Sequence, residues 1–333
     1  MSVIEEDILE VIKKIKLPDL KNKRILITGA SGLVGVYLSQ FFKSLKLEFN
    51  LEIYCWIKNK VDPNFNNIFD GLNIIQSDIT DLNSFEKIPY FDIIFHCSGY
   101  GQPVKFLEDE IKTIEINTLS TNFLLKKLNK FGKFLFVSTS EIYSGIDFDN
   151  ITEEMIGTTN TDHFRSCYIE GKRCGESICH SYIKQGYDVK IARLCLAYGP
   201  GTKKDDGRVL NSIVQKSIIN NKITLLDNGE AIRTYCYISD VIEMFINILF
   251  FGKKNVYNVG GKSIVSIFEL ANLVANKTNT YVELPNNSNP LIGNPKVVNI
   301  SIEKYQNEFN KSDFLDLSNG IEKTIKWQKK IYG

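Results

Sequence analysis

The sequence carries no excess of either charge: 40 Lys and Arg stand against 39 Asp and Glu in 333 residues, for a net charge of +1. That balance removes the basic footprint of a nucleic-acid-binding surface, so no nucleic-acid partner is expected. Histidine is scarce. His96, His163 and His180 are the whole set, with no metal-ligand spacing among them, and no metal site is expected. The seven cysteines (Cys55, Cys97, Cys167, Cys174, Cys179, Cys195, Cys236) are odd in number and form no C-x-x-C pair. Reduced thiols in a cytoplasm are therefore expected. Long apolar runs are also missing. The strongest, Val241 to Phe251, contains Glu243 and is about half of the roughly 20 residues a membrane span needs. Glu5, Glu6 and Asp7 occupy the place of a basic n-region, so the N-terminus does not read as a signal peptide.

What is present is an ordinary folding composition, 43% hydrophobic and 24% charged, at a length that suggests two lobes. Val3, Ile4, Ile8, Leu9, Val11, Ile12 and Ile15 share one helical face, which predicts an amphipathic helix within residues 1–21, laid on the body. Short apolar runs then recur at Arg24–Thr28, Leu51–Trp56, Leu72–Ile75, Phe91–Cys97, Lys133–Val137 and Val189–Leu194. Such continuous runs suit parallel strands buried on both faces. Helical patterns at Leu33–Leu45, Ile111–Asn129 and Tyr168–Lys184 lie between them. The alternation predicts an α/β fold with a doubly wound parallel sheet over residues 22–195. Residues 196–333 mix helices with short strands. They are expected to form a smaller, mainly substrate-binding lobe, with segments returning to the sheet. Pro285–Pro290 reads as a polar loop.

Directly after the first strand stands Thr28-Gly29-Ala30-Ser31-Gly32-Leu33-Val34-Gly35. The chemistry of a dinucleotide site needs a tight turn, backbone close to a pyrophosphate and close helix–strand contact, and each needs glycine. A helix that opens here aims free N–H groups at the phosphates. An acid about 20 residues on would bind the ribose 2′-hydroxyl of NAD. None stands at the end of the second strand, which reads Tyr54-Cys55-Trp56-Ile57-Lys58-Asn59-Lys60. Lys58 and Lys60 either face solvent or meet a 2′-phosphate, so NADP stays open beside NAD. Asp78-Ile79 ends the third strand, where an Asp can accept from the adenine amino group.

Tyr168 and Lys172 form Y-x-x-x-K, one face of a helix. A lysine ammonium beside a phenol favours the phenolate and lets the tyrosine act as a base nearer neutrality. The polar cluster Ser138-Thr139-Ser140-Glu141-Ile142-Tyr143 ends the preceding strand, where ligands meet an open α/β sheet.

TGASGLVG at 28–35, STSEIYSG at 138–145, CYIEGKRCGE at 167–176, YGPG at 198–201, DDGRVL at 205–210 and RTYCYISD at 233–240 together resemble the extended short-chain dehydrogenase/reductase family. The likeness is to its nucleotide-sugar branch, most to UDP-glucuronate decarboxylases, and covers about residues 22–275. It implies a Rossmann-type sheet, a retained NAD and a redox-neutral cycle on a nucleotide sugar. Tyr168 with Lys172 would take the 4-hydroxyl proton, and Thr139 or Ser140 would share it. Glu141 would manage the proton at C5. Gly29, Ser31, Gly32, Leu33, Val34, Gly35, Lys58, Asp78, Ile79, Cys97, Ser98, Gly99, Asn117 and Lys172 are the cofactor contacts so implied. Gln102, Tyr143, Arg208 and Arg233 are the substrate contacts. The family pairs two such subunits through the helices at Ile111–Asn129 and Tyr168, implying a homodimer.

Ser140 stands where many sugar 4,6-dehydratases carry an acidic Asp, but dehydration, 4-epimerisation and NADPH-dependent reduction all stay open. A non-catalytic dinucleotide sensor would be expected to have a broken Tyr–Lys pair, and here the pair is intact. Leu196, where the family usually has Asn, and Asn294-Pro295-Lys296-Val297-Val298, where the decarboxylases have Arg, depart from the pattern on the substrate side. The loop Cys97–Pro103 is richer in glycine than the family implies.

Overall fold

The computed structural model describes residues 2–146, 150–204, 206–285 and 297–332. The first half alternates as the apolar runs predict. Strands β1 (Arg24–Thr28), β2 (Glu52–Ile57), β3 (Asn73–Gln76), β4 (Phe91–His96), β5 (Leu128–Thr139) and β6 (Asp188–Leu194) are interleaved with helices. The helices are α1 (Val3–Lys14), α2 (Leu33–Phe49), α3 (Asn66–Phe69), α4 (Asn83–Glu86), α5 (Pro103–Glu108), α6 (Glu110–Asn117), α7 (Leu119–Lys126) and α8 (Ser166–Lys184). The single helix expected over 111–129 is broken at Thr118, where ψ falls to −73° and a new helix begins. The Thr118 hydroxyl bonds the Ile114 carbonyl at 2.8 Å, a side-chain bond that bends helices, and residues 128–129 belong to β5.

The later chain adds β7 (Leu196–Tyr198), α9 (Val209–Ile219), β8 (Ile223–Thr224), β9 (Ile232–Tyr237), α10 (Ile238–Phe251), β10 (Val256–Val259), β11 (Ser263–Ser266), α11 (Ile267–Thr278), β12 (Val282–Glu283), β13 (Val297–Val298), α12 (Glu303–Phe309) and α13 (Leu317–Tyr332). One segment returns: β10 pairs with β6 and completes a seven-stranded parallel sheet of order β10-β6-β5-β4-β1-β2-β3. A second sheet joins β11, β9 and β13, with β7 also on β9. The loop expected at 285–290 lies outside the described residues beyond Pro285, as do Asn294, Pro295 and Lys296.

Strand periodicity sorts the two cores. Ile25, Ile27, Ile93, Phe95 and Leu135 face the core shared with α1, α2 and α10, whereas Leu26, Ile94, Phe134 and Phe136 face the core shared with α7 and α8. Each such fully buried side chain contributes roughly 1.5–3 kcal/mol. Helix α1 begins with a capping box between Ser2 and Glu5. It is fastened by a buried charge: Asp7 accepts from Tyr37 at 2.8 Å, Tyr237 at 2.7 Å and Lys323 at 2.5 Å. The strand order reverses between β1 and β4, and the crevice outside their C-terminal ends is where such sheets hold ligands.

Candidate active site

At that crevice the chain turns from β1 into α2. Gly29 has φ +63°, and a Cβ on it would lie 2.7 Å from the Cys97 carbonyl oxygen. A Cβ on Gly35 would lie 2.3 Å from the Gly29 oxygen and 2.5 Å from Ala30 Cα. Both positions thus admit only glycine without backbone movement. Gly32 caps α2 without a side chain, leaving first-turn N–H groups available. Leu33 is buried and Val34 half-buried, which anchors the turn from below, and Ser31 stands half-buried within it. Thr28 Oγ1 accepts from the Ser98 amide at 3.2 Å and meets His96 Nδ1 at 2.9 Å, tying the ends of β1 and β4 together. Burial pushes the Cys97 thiol up to about 12, which disfavours the thiolate.

Further along, Lys172 Nζ donates to the Val137 carbonyl at 2.7 Å, and burial lowers it to about 8. A Cβ on Gly99 would lie 3.5 Å from that nitrogen and 3.8 Å from Asn117 Oδ1. Asn117 is buried, and its Nδ2 donates to Thr113 O at 2.8 Å. Its Oδ1 has no hydrogen-bond partner among the described residues. A buried acceptor left unmade costs about 1–3 kcal/mol, so this oxygen calls for a donor such as a ribose hydroxyl. The glycine cradle, the open helix N-terminus and this orphan acceptor beside an ammonium all fit a dinucleotide.

The adenine end departs from expectation. Lys58 does not stand free for a 2′-phosphate: its Nζ lies 3.2 Å from Asp78 Oδ2 and donates to the Tyr100 hydroxyl at 3.2 Å. Asp78 also meets Lys112 at 3.1 Å and accepts from Thr80 N at 3.1 Å and Thr80 Oγ1 at 2.9 Å. Burial opposes its ionisation, but these bonds outweigh it and hold the carboxyl well below its ordinary range. Ile79 is buried in the sheet's second core, and its carbonyl accepts from Ser120 at 3.0 Å.

Tyr168 opens α8, and its ring stacks on Phe106 at 4.8 Å and 2°. Burial pushes its phenol up to about 12, and Glu141 pushes the same way. The Thr139 hydrogen bond, Arg165 and Arg208 pull it back. Desolvation is the largest influence on this phenol, and the Lys172 ammonium on the same helix donates to the Val137 carbonyl. Thr139 Oγ1 accepts from the Glu141 amide at 3.2 Å at the start of a 3-10 turn over Ser140–Tyr143, and from this turn Thr139 and Glu141 act on the phenol.

Arg165 is a side chain at the candidate site that the sequence reading did not name. Its Nε donates to Glu141 Oε2 at 3.0 Å, its Nη2 donates to Oε1, and its guanidinium sits 5.5 Å from the Phe106 ring centre. The available signal was a cation one helical turn before the tyrosine. Arg233 is half-buried and donates from Nη1 to the Ile232 carbonyl at 2.8 Å; burial lowers it, and the charges of Arg165 and Glu141 reach it. Arg208 forks onto Asp206 at 3.0 and 2.6 Å, close enough for its charge to reach Tyr168. Gln102 Oε1 accepts from the Gly207 amide at 3.2 Å and joins the two loops around the site.

Tyr143 is a correction. Its hydroxyl donates to Asn258 Oδ1 at 2.7 Å and accepts from Arg193 at 2.9 Å, within a buried network that runs through Glu176 to Ser138. With both roles of its hydroxyl taken inside the core, it is a packing residue and not a substrate contact. Leu196 lies half-buried in β7. Among the described residues no three His, Cys, Asp or Glu side chains gather as a metal group.

The family model described as "NAD dependent epimerase/dehydratase family" matches residues 25–260. The chain is 30% identical to UDP-glucuronic acid decarboxylase 6 of Arabidopsis thaliana over 79% of its own length and 76% of that protein's. It is 29% identical to UDP-glucuronic acid decarboxylase 1 of Xenopus tropicalis over 78% of its length, spanning only 61% of the frog protein. Among solved structures, a UDP-glucuronic acid 4-epimerase from Bacillus cereus, in complex with UDP-glucuronic acid and NAD, superposes with TM-score 0.76 at 22% identity, covering 93% of this chain and 100% of that one. DesIV, a dTDP-glucose 4,6-dehydratase from Streptomyces venezuelae, superposes with TM-score 0.79 at 19% identity, covering 92% and 97%. At these identities the structural likeness establishes the shared fold.

Proposed function

The chain belongs to the NAD dependent epimerase/dehydratase family, and from that premise we propose that it decarboxylates a UDP-linked uronic acid, through transient oxidation at C4, to the UDP-pentose. The observation that carries this reading is the Glu141 carboxylate, held by the Arg165 fork near enough to Tyr168 for its charge to act on the phenol. The names of the decarboxylase relatives point the same way.

Bound NAD would take the C4 hydride and return it at the end of the cycle. Gly29, Gly32, Gly35, Ser98, Asn117 and Lys172 are the residues that would hold it. Tyr168 accepts the proton of the 4-hydroxyl, with Thr139 hydrogen-bonded to the same phenol. The resulting ketone makes the C5 carboxylate a β-keto acid. The bond between C5 and the carboxylate breaks, its electron pair enters the C4–C5 enolate, and CO₂ leaves. Arg233 orients the departing carboxylate. Glu141 passes a proton drawn from water to C5, and Tyr168 returns its own to O4. Arg208 suits the pyrophosphate, where a guanidinium fork matches the oxygens better than an ammonium. Ser140, with no acid to protonate a leaving 6-hydroxyl, disfavours dehydration.

A homodimer is part of this reading. It is supported by Ile111, Ile114 and Leu119, which are exposed on α6 and α7 next to α8. So is a cytoplasmic location, supported by seven unbridged cysteines. No helix among the described residues is long and apolar enough to cross a membrane.

The test is to incubate the purified protein with UDP-, dTDP-, CDP- and GDP-sugars, uronic acids included, and follow product mass. Loss of one CO₂ from a UDP-uronate is expected. Untouched uronates with loss of water from neutral hexoses would overturn the decarboxylase reading, and an unchanged mass with a new NMR spectrum would make the protein an epimerase.

A further inference from the structure

We propose that Asp78 supplies, from the end of β3, the negative charge that the end of β2 lacks, and that by engaging Lys58 it sets a preference for NAD over NADP.

In this fold the end of the second strand faces the adenosine ribose, where a free lysine favours a 2′-phosphate and an acid favours a 2′-hydroxyl. The residues after Ile57 are Lys58, Asn59 and Lys60, with no acid. Read alone, that segment leaves NADP open beside NAD. The structure changes its meaning. Strands β3, β2, β1 and β4 are consecutive parallel neighbours, so the segments after β2, β3 and β4 leave the same edge of the sheet. Lys58 is caught between two of them: Asp78 Oδ2 at 3.2 Å on one side and the Tyr100 hydroxyl at 3.2 Å on the other, with the ring centre 5.9 Å away.

Asp78 is itself immobilised. Both Thr80 donors hold Oδ1, while Oδ2 is shared between Lys58 and Lys112. A 2′-phosphate arriving here would have to draw Lys58 away from Asp78 and accept a fixed carboxylate as neighbour. A 2′-hydroxyl brings no charge and meets no such conflict. Because one carboxylate serves two lysines, the discrimination rests on position and not on net charge, and it is modest. Lys58 is also half open to solvent, where charge contacts are screened.

The measurement is a competition. The purified protein is dialysed against equal NAD⁺ and NADP⁺, and the bound nucleotides are released and counted. The wild-type protein is expected to hold mainly NAD⁺. Asp78→Asn should move the bound ratio towards NADP⁺ by about fivefold, the scale of one screened charge contact. Lys58→Met in the Asp78→Asn background should cancel that shift. If Asp78→Asn fails to fold, Tyr100→Phe takes its place, with a shift of about twofold in the same direction.

A wild-type preference for NADP⁺ overturns the proposal. So does an unchanged ratio in the folded single variant, or a shift that survives loss of Lys58 and therefore belongs to Lys112. The bound ratio is independent of which sugar is turned over, so its failure would leave the decarboxylase reading standing, and the reverse holds too.

Discussion

Replacing Arg165 by Gln separates a working clamp on Glu141 from an incidental ion pair. The guanidinium makes two charge-assisted bonds to Glu141, with the arginine side chain 10% exposed and the carboxylate 31% exposed. A hydrogen bond to a charged group contributes about 1.5–3 kcal/mol. Solvent reaches nearly a third of Glu141, so the fork as a whole should couple the two residues by about 2 kcal/mol, not by twice a buried bond. Loss of the cation over Phe106 adds about 0.5–1 kcal/mol. Urea unfolding of Arg165→Gln, Glu141→Gln and the double variant isolates the coupling from the other losses. Turnover should fall about ten- to a hundredfold in Arg165→Gln through kcat, with KM and bound NAD little changed, because the residue aims Glu141 and leaves nucleotide binding alone. Arg165→Lys should not restore it, since an ammonium cannot make the fork. A coupling below about 0.5 kcal/mol, or a rise in KM at constant kcat, would refute the clamp and make Arg165 a substrate contact or a structural cation.

Tyr168→Phe keeps the stack on Phe106 but loses the phenol. It should lower kcat about 10²–10⁴-fold for any sugar the protein accepts, with NAD still bound on release and chromatography. Gly35→Ala would force a methyl to 2.3 Å from the Gly29 oxygen. It should cost about 1–3 kcal/mol in urea unfolding and weaken NAD binding in the same preparation. Burial, with the Lys172 charge adding to it, lowers His96 from its ordinary value to about 3, so it stays neutral in the folded protein while the unfolded chain takes up a proton. Stability should therefore fall as pH drops from about 6 towards 3, by up to about 1.4 kcal/mol per pH unit from this group. A His96→Gln variant should show that much less acid dependence, and equal slopes in both proteins would contradict the assignment.

Much of the architecture could be read in the chain, because it rests on local periodicity. Arg24–Thr28 is a strand in the structure as it is in the sequence pattern, and α2 begins at Leu33 as the glycine turn requires. The helix over 111–129 was misjudged because its apolar spacing runs through Thr118, where the backbone kinks to φ −113° and ψ −73°. The site divides in the same way. The cofactor turn and the Tyr168–Lys172 pair are legible as spacings within one element. Tyr143 was misplaced because nothing in STSEIYSG shows that its hydroxyl is drawn inward by Arg193 and Asn258, which arrive from β6 and β10.

By itself, then, the sequence determined the parallel sheet, the dinucleotide turn and the helical face that carries the tyrosine, since backbone conformation and apolar repeat are short-range properties. Only the tertiary structure decided which charges meet. Arg165 reaches Glu141 from 24 residues away, and Lys58 meets Asp78 because β2 and β3 lie side by side. Pairing of this kind is set by strand order and crossover, and no local pattern of residues encodes it.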